Sequence, residues 1–266
     1  MQAVSPAISS ATPWRTVGAL QLRRVHYRAG AMQSPHRHED CTLSLVVAGH
    51  LEETSTSACQ RAGVGSVVIK PADCLHGDAY GPRGACIVQI RADAGPASRW
   101  NWDRYRWFES TTLARAVLAC LSGEQRGSES AELVLWDALA SVLDEQPCGH
   151  ATRPRAWFAR VLDRLESEVN GPVSVSGIAR EVDVHPVHLA RVFRARFGRT
   201  IAQHVRERRV LAAWRAMEAD GPPLAVVAAR FGFADQAHMT RAFAEILGMP
   251  PGRLKGLGTR RVTAGG

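Results

Sequence analysis

The sequence has no run of eighteen apolar residues, so nothing in it reads as a membrane-spanning helix. Its first residues, MQAVSPAISSATP, lack a basic segment followed by an apolar core. They are expected to form a loose tail over 1–13 rather than a secretory signal. Six cysteines are scattered along 266 residues without such a signal, so they are read as reduced thiols in a cytoplasmic protein. Lysine is nearly missing: only Lys70 and Lys255 among 33 basic residues. Genome composition explains that bias as readily as function does. Acidic residues are scarce in one half only. From 151 onward there are 19 basic residues against 10 acidic, and before 151 there are 14 against 15. A neutral half joined to a basic half places a polyanionic partner on the second half alone.

What that half does contain is a repeated constellation. Ala179, Leu189, Arg191, Phe193 and Gly198 recur fifty residues later as Ala229, Met239, Arg241, Phe243 and Gly248. Each copy reads as small residue, turn, amphipathic helix and glycine stop, the grammar of a helix-turn-helix. In the first copy Ser174 is an N-cap candidate, and Val175, Ile178, Ala179 and Val182 share one face. Pro186 suits the first turn of the next helix. Leu189, Val192, Phe193 and Phe197 face inward, leaving Val187, Ala190, Arg191 and Arg194 outside. In the second copy Asp235 is the cap candidate and Met239, Phe243, Ile246 and Leu247 face inward. Gln236, Ala237, Thr240 and Arg241 remain outside, and Pro250 and Pro251 bar the helix from resuming.

An exposed helical face with long polar side chains near its start can read base edges. Arg191 and Arg241 can fork onto guanine, Gln236 can pair with adenine, and Thr240 can meet a thymine methyl or a phosphate. His188 and His238 also correspond; they either touch phosphate or lie at the flank. The DNA-facing set is thus Val187, His188, Arg191, Arg194, Gln236, Ala237, His238, Thr240 and Arg241. Between the copies Val205, Arg209, Val210, Ala213, Trp214 and Met217 repeat at helical spacing. A rigid spacer matters because two reading helices enter successive major-groove segments only about 34 Å apart.

Residues 155–258 resemble the DNA-binding domain of the AraC/XylS family of transcription regulators. The second copy carries the resemblance best, through Gly232-Phe233, Asp235, Arg241-x-Phe243 and Gly248-x-x-Pro251. The first copy departs from it at Asp183, where a glycine or small turn residue is usual, and at His185, where a capping serine is usual. The resemblance implies double-stranded promoter DNA as partner, a homodimer, and RNA polymerase as a further partner if the protein activates.

The first half has another texture. VGALQLRRVHY, CTLSLVV, HLEETST, SVVIK and ACIVQI alternate in polarity between glycine-containing turns and read as strands. They predict a β-sandwich or barrel over 14–108. Gly30, His36, His38 and Gly49, then Gly65, Pro71, Asp73 and His76, resemble the two cupin motifs. Thr42 stands where a metal-binding cupin offers glutamate, and Tyr80 where asparagine is common. His36, His38 and His76 form a candidate site for a divalent metal or a small effector. Cys41 and Cys74 lie nearby, and such soft ligands favour zinc or copper, zinc for preference. The alternatives are imidazoles that line an organic effector's pocket or cap loop ends. Glu39 and Asp40 are the carboxylates nearest in sequence.

The segment SRWNWDRYRWFES, with Trp100, Trp102, Tyr105, Trp107 and Phe108, either stacks on bases or closes the end of the barrel; the second is favoured. Residues 109–146 read as a helical hairpin with stripes Leu113, Val117, Leu121 and Leu135, Leu139, Val142. It serves either as a dimer interface or as a cover for its own sandwich. A linker is expected at 147–154 and a tail at 259–266. The expected fold is therefore α+β and multidomain: a cupin-like β-sandwich or barrel, a helical hairpin, and an all-α domain with two helix-turn-helix units. The expected protein is a regulator controlled by an effector, not an enzyme. Two alternatives stay open: a metal-dependent cupin enzyme fused to a DNA-binding module, and a thiol redox sensor using Cys41, Cys59, Cys74 or Cys86.

Overall fold

The computed structural model describes residues 7–18, 20–55, 59–92, 105–122, 128–143, 156–171, 173–217 and 221–259. The first part is one antiparallel sheet of nine strands: β1 (Ile8–Ala11), β2 (Arg15–Val17), β3 (Leu20–Tyr27), β4 (Met32–His36), β5 (Thr42–Ser55), β6 (Cys59–Gly63), β7 (Ser66–Lys70), β8 (His76–Ala92) and β9 (Arg106–Glu109). The main path runs β1-β3-β8-β5-β7-β9, with β2 on β3, β4 on β8 and β6 on β5. Alternation decides which side chains turn inward: in β3, Leu20, Leu22, Val25 and Tyr27 are buried. The sheet wraps a cavity of about 600 Å³ whose lining comes from β1, β3, β4, β5, β7 and β8.

Two expectations need correction here. Residues 8–11, placed in a loose tail, pair with β3 as β1, and Ala7 is buried beside them. CTLSLVV and HLEETST are one strand rather than two. Gly49 between them is not a turn but the point where β5 shifts register against β8. There φ is +70°, and a Cβ would stand 2.1 Å from the Gly84 carbonyl oxygen. Gly84, at φ +74°, approaches the Tyr27 carbonyl as closely. Glycine here permits two bent strands to cross, a meaning that alternation alone does not distinguish from a hairpin.

Nine helices follow among the described residues: α1 (Thr111–Ser122), α2 (Ser128–Leu143), α3 (Ala156–Ser167), α4 (Val175–Glu181), α5 (Pro186–Phe197), α6 (Ile201–Ala216), α7 (Leu224–Arg230), α8 (Gln236–Leu247) and α9 (Pro251–Thr259). Pro251 does not bar a helix. It occupies the first turn of α9, where its missing donor costs nothing. The linker 147–154, together with Trp100 and Trp102, lies outside the described residues. Trp107 and Phe108 belong to β9, which pairs with β7 and completes the sheet edge.

The cores do not divide where the composition does. Phe158, Val161, Ile178, Leu189, Phe193, Ile201 and Val205 form one small core for α3, α4, α5 and the start of α6. A larger core unites one side of the sheet, α1, α2, the second half of α6 and α7–α9. Helix α6 therefore spans both. Its first turns belong to the first helix-turn-helix, and Val210, Leu211, Trp214 and Met217 belong to the sheet and the second. Polar contacts reinforce that union. Glu109, at the end of β9, accepts from Arg208 (2.5 Å) and from Arg215, both on α6. Arg115 of α1 donates to the Glu245 carbonyl of α8 at 2.6 Å. Arg215 also donates to the Val64 carbonyl at 2.9 Å.

Candidate functional site

The two helix-turn-helix units are built alike with one difference. In the first, the Ser174 hydroxyl accepts from the Gly177 amide (3.1 Å), and α4 ends at Val182. Asp183 turns the chain at φ +55°, and His185 caps α5 by accepting from the Val187 amide at 3.3 Å. In the second, α7 ends at Phe231 and Gly232 turns at φ +71°. Asp235 then caps α8 by accepting from the His238 amide at 2.6 Å. Asp183 takes the left-handed role of Gly232, and its short polar side chain tolerates it. The second turn holds one more residue before its cap. The first helices therefore correspond at an offset of 49, not 50. The small buried residue matching Ala179 is Ala228, while Ala229 is exposed. The backbone agrees: the Val184 amide donates to the Ala179 carbonyl, and the Phe233 amide to that of Ala228.

The second helices keep the offset of fifty. Leu189 and Phe193 are fully buried, as are Met239 and Phe243. Gly198 and Gly248 end α5 and α8 in the left-handed conformation. On α5 the side chains of Val187, Arg191 and Arg194 are exposed; on α8 those of Gln236, Ala237 and Arg241 are. Arg191, Arg194 and Arg241 make no ion pair among the described residues. Three members of the expected set are engaged locally. Thr240 donates its hydroxyl to the Gln236 carbonyl at 2.9 Å, and His238 Nδ1 accepts from the Ala234 amide at 3.2 Å. His188 is half-buried beside the Trp157 ring.

His36 and His38 line the sheet cavity, and the His76 ring stands against both. β4 pairs with β8 so that His36 lies opposite His76, and His38 follows just beyond the strand. One ligand atom from each lies within 4.8 Å of the others. His36 Nδ1 faces the Ser34 carbonyl and His76 Nδ1 the Cys74 carbonyl, each at 2.9 Å. A ring nitrogen facing a carbonyl carries the proton, so Nε2 keeps its lone pair in both rings. His76 Nε2 is buried and has no hydrogen-bond partner among the described residues. Burial first, then the nearby charges of His36 and Lys70, lowers His38 to about 4. Burial and Lys70 lower His76 to about 4 as well. Both rings are neutral near pH 7, as metal ligation requires.

The thiols do not join this group. Cys41 accepts from the Ala72 amide at 3.3 Å, and no cysteine stands with the histidines among the described residues. The lean toward zinc rested on those thiols and loses its basis. Nor are Glu39 and Asp40 the neighbouring carboxylates; Asp40 pairs with Arg91 at 3.4 Å. The carboxylates beside His76 are Glu53 of β5 and Asp78 of β8, both buried. Lys70 lies between them, 2.7 Å from Glu53 and 3.9 Å from Asp78. Burial works against its ammonium, but Asp78 and Glu53 outweigh burial and hold it charged. Tyr105 donates to Glu53, and Tyr80 to Gln33 (2.5 Å) and Asp78 (3.3 Å). Sequence spacing missed this network. Its one trace was a lysine inside an apolar strand, a residue that enters a core only with partners.

Two of the thiols are poor nucleophiles: burial pushes the Cys86 thiol up to about 12 and raises that of Cys74 as well. No described helix is long and apolar enough to cross a membrane.

Residues 178–256 match the family model of a helix-turn-helix domain. MarA, the multiple antibiotic resistance protein of Salmonella typhimurium, is 26% identical over 91 residues, 34% of this chain and 72% of that protein. The HTH-type transcriptional regulator GlxA of Rhizobium meliloti is 30% identical over 95 residues, 36% of this chain and 29% of its own length. A solved AraC-type regulator from Chromobacterium violaceum aligns at 17% identity over 39% of this chain and 93% of that one, with a TM-score of 0.37. The matched domain over 178–256 and the paired units of matching construction make this part of the chain a helix-turn-helix domain, similar to those of transcription regulators such as MarA and GlxA.

Proposed function

We propose that α5 and α8 read promoter DNA in two successive major-groove segments, and that an effector held in the sheet cavity controls how they are presented. One observation carries the reading: two helices of equivalent construction each bury one face completely and expose an unpaired arginine at the same place, Arg191 and Arg241. Arg194 and Gln236 extend the two faces. Thr240, His188 and His238, each tied to its own unit, serve as flanks. Binding to promoter fragments tests this. Arg191→Ala and Arg241→Ala each weaken specific binding by about 1–3 kcal/mol and relax sequence preference. Unchanged affinity and preference in both variants would remove the assignment.

The cavity suits a divalent metal. The supporting observation is the buried Nε2 of His76, without a hydrogen-bond partner among the described residues, beside the imidazoles of His36 and His38. His36, His38 and His76 would hold the ion, and Glu53 and Asp78 supply negative charge behind them. Such an ion would supply Lewis acidity toward an oxygen donor of an effector. Imidazole ligands suit zinc, copper, iron or nickel alike. Elemental analysis of the purified chain is expected to find close to one ion per chain, lost in His36→Ala and His76→Ala. A metal-free preparation with unaltered DNA binding and effector response is the contrary result.

The buried Glu53 carboxyl, pushed up by burial, is the one observation that favours a catalytic cupin centre as a second reading. Turnover of a small substrate by the full chain, lost in Glu53→Gln, would establish it. Dimerisation is assigned to α2, whose Leu133 and Val134 remain exposed while Leu135 and Leu139 cover the sheet.

A further inference from the structure

Strand β9 meets the sheet cavity at one end and α6 at the other. Just before it, the Tyr105 hydroxyl donates to Glu53, whose buried carboxylate lines that cavity beside Lys70 and Asp78. At its far end Glu109 accepts from Arg208 (2.5 Å) and from Arg215, both on α6. Among the described residues, the ion pairs that join the sheet to α6 all end on Glu109. From Tyr105 to Glu109 the chain covers about 13 Å, at about 3.3 Å per residue.

Alternation divides this short strand between two cores. Trp107 packs against the cavity-side core of Val46, Leu51, Tyr80 and Ile87. Phe108 packs against the core that the sheet shares with α6–α9. Strand β7, paired with every residue of β9, is divided in the same way. Val68 lines the cavity, while Val67 and Ile69 join the shared core. The two strands are therefore a wall between the cavity and the helices. A slip of one residue would exchange Trp107 and Phe108 between those cores, so the register is fixed.

The contacts continue past the strand. The Ser110 hydroxyl accepts from the Leu113 amide at 3.1 Å and starts α1. Thr111 donates to Glu207 of α6 at 3.2 Å. Glu207 also accepts from Arg199, the residue that follows Gly198 at the end of α5. The end of β9 and the start of α1 thus hold α6 at Glu207, Arg208 and Arg215, and reach the exit of α5 through Arg199.

We infer that β9 is the lever through which an occupant of the sheet cavity acts on the DNA-binding helices, with Tyr105 and Glu109 as its positioning residues. The inference rests on the proposed role of that cavity as the effector site. An occupant that offers Glu53 a donor of its own displaces the Tyr105 hydroxyl. The freed end of β9 then tilts, since it cannot slide, and the grip of Glu109 and Thr111 on α6 slackens. Such an occupant favours the slackened arrangement because only there is Glu53 open to it.

The test is hydrogen exchange in the full chain without DNA or effector, for Tyr105→Phe, Glu109→Gln, the two combined, and Tyr80→Phe. Tyr105→Phe keeps the ring against Trp107 and removes only the donor. It is expected to speed exchange in α6 at least about threefold, well within what one hydrogen bond to a charged group allows, and to leave β3 unchanged. The combined variant should speed α6 no further than the faster single one, because both changes break the same route. Tyr80→Phe loses donations to Gln33 and Asp78 on the same cavity and should leave α6 as it was. Four results would overturn the inference: unchanged α6 exchange in Tyr105→Phe; equal acceleration in β3, the mark of general loosening; the same α6 response in Tyr80→Phe; or additive effects in the combined variant. These rates are read without DNA, so they stand or fall separately from promoter binding by α5 and α8.

Discussion

At the scale of single residues, His204 shows how a polar group can serve a core. It sits on α6 against the rings of Phe193 and Phe197, at 5.3 and 5.6 Å. Burial, aided by Arg199 and Arg208, lowers it from 6.5 to about 4. Its folded form thus binds a proton less readily than its unfolded form. The stability it contributes is complete above about pH 6.5 and drains away as pH falls toward 4. The first helix-turn-helix is therefore expected to loosen on acidification over that window. His204→Gln should flatten the dependence. The check is a set of denaturation midpoints between pH 4 and pH 7, read by hydrogen exchange in α5; equal slopes for both proteins would discount His204. Its place on a helix was readable from periodicity. Its burial was not, since a histidine pattern does not say which neighbours will close over it. The same holds for Ala229. A spacing of fifty was legible at Leu189, Arg191 and Phe193, but the extra residue in the second turn moved the small contact to Ala228, and repeat matching cannot see a one-residue slip in a loop.

At the scale of elements, α6 is more than a spacer. Its Arg209, placed among apolar positions by periodicity, donates to three backbone carbonyls. Nε reaches Val169 at 2.8 Å, Nη1 reaches Gly232 at 3.1 Å, and Nη2 reaches Gly171. The first and last of these follow α3; Gly232 is the turn of the second unit. One guanidinium thus ties the segment that leads into the first helix-turn-helix to the turn of the second. Gly232 itself leaves little room for a side chain: its φ is +71°, and a Cβ would stand 3.1 Å from the Asn170 carbonyl oxygen. Arg209→Ala strands three acceptors and is expected to cost on the order of 2–4 kcal/mol, because bonds from a charged donor are the stronger kind. Arg209→Lys should recover little, since an ammonium lacks the planar fork. Chemical denaturation measures both. The sequence marked the helix correctly because amphipathic spacing reports one buried face. It could not mark Arg209, because backbone carbonyl partners leave no trace in side-chain patterns. Strands were legible by the same logic where they alternate. β5 was misjudged because glycine signals a turn and a bulge alike.

At the scale of the whole molecule, the two cores distribute the helix-turn-helix units unequally. The first has its own core, and the second shares one with the sheet, α1 and α2. Among the described residues, whatever alters the sheet reaches α8 directly through the shared core and α5 through α6. Glu109 is the polar centre of that junction, accepting from Arg208 and Arg215. Glu109→Gln removes the charge and keeps the shape. It is expected to cost about 1 kcal/mol, as for a partly exposed network, and to speed exchange in α6–α9 while leaving α1 unchanged. Identical exchange in the variant would mean that apolar packing alone holds the junction. Composition divided the chain at about residue 151, and charge does divide there. Packing does not, because a helix presents different faces along its length and can serve two cores at once. The histidine group was legible through the resemblance of its two segments to the cupin motifs. The carboxylates behind it were not, since Glu53 and Asp78 meet only after β5 and β8 pair.

The longer second turn has a consequence for the proposed target. The two units differ in entry geometry and in their outward residues, Val187, Arg191 and Arg194 against Gln236, Ala237 and Arg241, so they cannot be exchanged end for end. On the proposed reading, a single chain would meet an operator with a head and a tail. Turned around, the same base pairs become a foreign address, so the protein should sit on a promoter facing one way only.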